Sequence, residues 1–89
     1  MPFVFKIKIM DEIFIVYKTD NWHSYESRDV IGIATDRSYA MLLCNEKAAK
    51  EGCQIAGDQS WNLANLQQTQ GYMGEGEFQY EKLSTNVLL

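Results

Sequence analysis

The chain has 89 residues, 46% hydrophobic and 22% charged, with a formal net charge of −4. That length makes one domain, expected to span residues 1–89, with one modest core that buries roughly 60–68% of the unfolded surface. It excludes a multidomain architecture, and no run approaches the ~18 consecutive apolar residues that suggest a membrane span.

The charge is unevenly placed. Residues 1–50 carry seven basic and seven acidic side chains, whereas residues 51–89 carry Glu51, Asp58, Glu75, Glu77 and Glu81 against Lys82 alone. Direct nucleic-acid binding is not expected, because it needs a clustered basic face that displaces counterions. The start, Met1-Pro2-Phe3-Val4-Phe5-Lys6, lacks the basic and then long apolar pattern of a secretion signal, so the expected compartment is the cytoplasm.

Phe3, Phe5, Ile7 and Ile9 alternate with Val4, Lys6, Lys8 and Met10, which predicts a strand with one buried and one wet face. After Asp11-Glu12, the continuous apolar run Ile13-Phe14-Ile15-Val16-Tyr17 predicts a second strand, covered on both faces and therefore central. The short connection predicts a hairpin between the two. Asp20 to Asp29 is a polar loop.

The stretch from Val30 to Gly52 organises the rest. Val30-Ile31-Gly32-Ile33-Ala34 predicts a third strand, since stiff β-branched residues suit a pleated backbone. Gly32 in its middle marks a bulge or a close approach of another segment. Thr35 or Asp36 can cap a helix that runs from Arg37 to Glu51. Lys47 and Lys50 complement its C-terminal dipole, and Gly52 stops it. At 100° per residue, Ala40, Leu43, Cys44 and Ala48 form its inner face, with Met41 at the margin. Tyr39 and Leu42 point elsewhere, and the following segment is expected to cover them.

Asp58 can cap a short second helix through Trp61, Leu63, Ala64 and Leu66. Gln67 to Gln70 reads as a polar connection that satisfies its own backbone. Gly71-Tyr72-Met73-Gly74-Glu75-Gly76 is turn chemistry; it is acidic and leads into a strand, whereas phosphate loops lead into a helix. Glu77 to Glu81 predicts a last strand with Phe78 and Tyr80 inward, and Val87-Leu88-Leu89 an apolar end that packs. The expected fold is α+β: a four-stranded, mostly antiparallel sheet, in chain order β-β-β-α-(α)-β, with one main helix and a short second helix packed on one face. The other face is then wet, or covered by a second copy of the protein.

Cys44 and Cys53 are separated by roughly 13 Å along a helical rise, beyond the about 7 Å between Cα atoms that a disulfide tolerates. They are expected as free thiols, Cys44 buried. One histidine and two separated cysteines do not fill a four-ligand zinc site, so neither metal nor cofactor is expected. His23 has no partner assured within reach, and no catalytic residue is expected.

The concentrated chemistry lies at residues 22–28. Trp22, His23, Tyr25 and Arg28 are the candidate binding residues, because aromatic rings and arginine anchor protein partners. The plain alternative is a connecting loop whose Trp22 and Tyr25 fold back on the core. Tyr39 and Leu42 are a candidate interface. The leading expectation is a small intracellular binding or regulatory protein acting by protein–protein contact, with self-association one route. A small-molecule binder or minor enzyme is the alternative; it requires Trp22, His23, Tyr25 and Arg28 to converge on a concavity of about 300 Å³ or more. An acidic decoy of a nucleic-acid-binding protein is a third, and requires Asp58, Glu75, Glu77 and Glu81 to line one face.

Overall fold

The structure is a computed structural model and describes residues 12–84. Strand β1 (Glu12–Thr19) leads into a loop with a single 3-10 turn at Tyr25–Ser27. Strand β2 (Asp29–Ala34), helix α1 (Arg37–Lys50), helix α2 (Asp58–Leu66) and strand β3 (Glu77–Ser84) follow. The strands form one antiparallel sheet in the order β2-β1-β3. The architecture is α+β, as the alternation of patterns predicts.

The strand count is corrected. The described sheet has three strands, not four. Strand β1 is central, with β2 along Phe14–Lys18 on one side and β3 along Glu12–Thr19 on the other. Both of its edges are taken, by β2 and β3, whereas the sequence pattern expects a hairpin partner at residues 3–9 on one of them. That segment and the apolar end at residues 87–89 lie outside the described residues.

Helix α1 forms where its sequence dictates. The Asp36 carboxylate accepts the Tyr39 N–H at 2.8 Å, so Asp36 rather than Thr35 is the cap. At the other end Gly52 takes φ 78°, and the Gly52 and Cys53 N–H groups donate back to the Ala49 and Ala48 carbonyls. That is the left-handed stop for which glycine is suited. Ala40, Cys44 and Ala48 are fully buried on the inner face. Leu43 lies over Gly32, where a Cβ would come within 2.9 Å of its Cδ1. Gly32 therefore marks a close approach, and the register between β1 and β2 also shifts beside it, opposite Val16 and Tyr17.

One sheet face carries Phe14, Val16, Ala34, Phe78 and Tyr80, buried with α1, Ile55 and Leu63. Phe14 and Tyr80 meet edge to face at 6.0 Å, and the Tyr80 hydroxyl donates to the Leu63 carbonyl at 2.8 Å, tying α2 to β3. Helix α2 departs from expectation at its start. Gly57 is the cap, and Asp58 sits inside the first turn, where it still meets the positive end of the dipole. Tyr39 and Leu42 remain 55% and 45% exposed, against the expectation that the next segment covers them. The chain leaves α1 at Gly52, about 20 Å along the helix from Tyr39, and then spends Ile55 and Leu63 on the core.

Candidate functional site

The loop at residues 20–28 is built on Asp20. Its Oδ1 accepts the N–H groups of Trp22 and Ser24 at 3.0 and 3.1 Å, and its Oδ2 accepts the Ser24 hydroxyl at 2.6 Å. Asp20 N–H donates to the Ser27 hydroxyl, which donates to the Ser24 carbonyl. The short aspartate thus supplies a local substitute for sheet hydrogen bonds. The Ser24 hydroxyl, helped by the backbone N–H groups, holds the Asp20 carboxyl below its usual range.

His23 follows at φ 54° and is a stitch. Its Nε2 lies 2.8 Å from the Thr69 carbonyl, which only accepts, so that nitrogen carries a hydrogen. Its Nδ1 lies 2.7 Å from Gln79 Oε1 and 3.3 Å from Thr19 Oγ1. Beneath it, Thr19, Thr69, Glu77 and Gln79 are all buried polar side chains. The Thr69 hydroxyl donates to Glu77 Oε1 at 2.7 Å and accepts the Phe78 N–H at 2.9 Å; Gly71 N–H donates to Glu77 Oε2 at 2.7 Å. These bonds satisfy groups that would otherwise be costly to bury. They also fix the loop to the start of β3.

Arg28 turns to the sheet face away from the helices. Its guanidinium lies over the Tyr25 ring at 4.0 Å and the Tyr17 ring at 5.1 Å, and Nη1 is 3.8 Å from Glu81. The Tyr17 hydroxyl donates to Glu81 at 2.9 Å. Burial, then the Glu81 carboxylate, raises the Tyr17 pKa. Trp22 and Tyr25 are 81% and 80% exposed, so they do not fold back on the core. On the same sheet face Ile33 and Val30 are exposed and Ile13 and Ile15 half-buried.

Next to this loop lies a cleft of about 500 Å³, lined by Lys18, Asp20, Asn21, Trp22, Asp29, Glu51 and Glu75, with Thr19, Ser27 and Gly76. Lys18 is held at its wall. Its Nζ donates to Glu51 at 2.9 Å and to the Tyr72 hydroxyl, and lies over the Phe78 and Tyr72 rings. Burial would lower the Lys18 pKa, but the hydrogen bonds to Tyr72 and Glu51 outweigh it and the net shift is upward. Among the described residues, no three His, Cys, Asp or Glu side chains are placed to share a metal ion.

The structure therefore divides the four candidate residues. Trp22 lines the cleft, His23 is bonded into the β3 network, and Tyr25 and Arg28 stack on each other beside Tyr17. They do not converge on one concavity. The carboxylates of the decoy idea are also scattered: Glu77 is buried against Thr69, Glu81 pairs with Arg28 and Tyr17, and Glu75 lines the cleft. Lys18, Asp29 and Glu51 are cleft residues that sequence patterning passes over, since each sits in or beside a regular element with no local sign of what faces it. Cys44 is buried and Cys53 half-buried, both free thiols. No helix among the described residues is long and apolar enough to cross a membrane. Comparison with family models, curated proteins and solved structures finds no match, so the functional reading rests on this chain's own residues.

Proposed function

We propose that this protein is a small cytoplasmic binding or regulatory protein that acts by contact with another protein or with a second copy of itself, without catalysis. The observation that carries the reading is the exposure of Trp22 and Tyr25 on one tethered loop. Two large aromatic side chains stand about four-fifths exposed on a loop whose backbone is locked by Asp20, Ser24 and Ser27. Rings presented on a preordered loop lose little freedom on binding, and Trp, Tyr and Arg dominate interface energetics. Tyr39 and Leu42 extend the apolar exposure onto α1. The acidic balance argues against a nucleic-acid partner.

The test combines light scattering with capture of partners from extract of the protein's own cells. The wild type is compared with a Trp22→Ala/Tyr25→Ala variant. Self-association or a retained partner that the double variant loses is the expected result. A strict monomer at high concentration that retains nothing counts against the reading. A second reading, small-molecule binding, is favoured by the volume of the cleft beside Trp22, which lies within the range of about 300–1,000 Å³ usual for ligand sites. It would use Trp22 but not His23, Tyr25 or Arg28.

A further inference from the structure

We infer that the cleft beneath Trp22 is a docking site for a cationic side chain, a lysine or arginine presented by the partner protein. The inference rests on the protein-contact reading above and names the partner's chemistry at one place.

The site is a concavity whose lining includes Trp22. The Trp22 indole stands exposed at its rim, and about 500 Å³ of open space lies beside it. An indole face attracts a cation through its ring quadrupole. The remaining wall selects the same sign of charge. Asp20, Asp29, Glu51 and Glu75 line the cleft against Lys18 as the lining's one ammonium. Lys18 is already engaged by Glu51, Tyr72 and the two rings beneath it, so it offers little to an anion. Glu51 is matched by Lys18 and, at 3.9 Å, by Lys47. The Asp20 oxygens accept the loop's own donors yet keep their charge. The carboxylates of Asp29 and Glu75 have no hydrogen-bond or ion-pair partner among the described residues. They are the two charges left for an incoming group.

The spacing decides what kind of cation fits. No three of these carboxylates meet at metal-ligand geometry. An ammonium or guanidinium on an apolar stem has the complementary shape, its stem along the indole and its head toward Asp29 and Glu75.

The experiment is a titration of the full chain followed by amide and indole NMR, with an end-blocked hexalysine peptide as probe and hexaglutamate as control. Hexalysine is expected to shift the Trp22 indole and the amides of Asn21, Asp29 and Gly76 saturably, and to leave the Trp61 indole in place. Asp29→Asn with Glu75→Gln should weaken that binding by about fivefold or more and flatten its salt dependence. Both positions are exposed, and unchanged thermal unfolding of the double variant shows that the fold is intact. No saturable shift at millimolar probe, equal response to hexaglutamate, or unchanged affinity in the double variant overturns the inference. So does a shift spread over other acidic positions with Trp22 unmoved. A partner lost by Trp22→Ala/Tyr25→Ala but kept by Asp29→Asn/Glu75→Gln overturns the cleft and leaves the wider reading standing. Hexalysine binding in a chain that retains no protein partner supports the cleft and removes the wider reading.

Discussion

Thr69→Val is the sharpest probe of the polar network that holds the Trp22 loop. The Thr69 side chain is fully buried, donating to Glu77 at 2.7 Å and accepting the Phe78 N–H at 2.9 Å. Valine has nearly the same shape and neither function. Losing a hydrogen bond to a carboxylate costs about 1.5–3 kcal/mol, and a buried N–H left without a partner about 1–3 kcal/mol. The added methyl returns roughly 0.8 kcal/mol. A net loss of about 3 kcal/mol is expected, a large share of the roughly 4–13 kcal/mol that holds a domain of this size. With a urea slope of about 1–2 kcal/mol per molar, the unfolding midpoint should fall by about 2 M. Thr69→Ser keeps the hydroxyl and should recover most of the loss. In a double-mutant cycle with Glu77→Gln, the two sites should couple by about 1–2 kcal/mol. A midpoint within about 0.5 M of wild type, or no coupling, would refute the role given to this hydroxyl.

Other expectations follow from single geometries. Gly76→Ala places a Cβ against the Thr19 carbonyl at φ 73°, whereas Gly52→Ala meets nothing at φ 78°. Gly52→Ala should cost about 1–2 kcal/mol from the left-handed backbone alone, and Gly76→Ala about 1–3 kcal/mol more from the collision; equal costs in thermal unfolding would contradict the contact. Burial pushes the Cys44 thiol from 9.0 up to about 12. Because the folded form resists ionisation, the stabilisation is complete below pH 9 and is lost as pH rises toward 12, up to about 4 kcal/mol. Tyr17, Tyr72, Tyr80 and Lys18 shift upward too and add in the same direction. Urea midpoints flat to pH 11.5, or an alkaline slope unchanged in Cys44→Ala, would count against this. With a thiol reagent in native buffer, half-buried Cys53 should react and fully buried Cys44 should wait for denaturant; matched rates would show that the inner face of α1 is not packed against the sheet at Cys44.

What the sequence determined by itself is what short-range physics controls. β-branched residues place β2, and the period-3.6 and period-two patterns place α1 and β3, because these preferences act within a residue's own stretch of backbone. Asp36 and Gly52 bound α1 through bonds made within a few residues. The unbroken apolar run of β1 marks a central strand, and that strand is central, although its face away from the helices is only half-buried at Ile13 and Ile15. Tertiary structure alone decided the rest. Gln79 and Glu77 alternate like a wet face, yet they are buried because His23 and Thr69, distant along the chain, lie against their polar ends. The separation of Trp22 from Arg28 depends on which side of the sheet each meets. The cleft joins β1, the end of α1 and the turn before β3, and electrostatics between parts so far apart in sequence leaves no local pattern in any one of them.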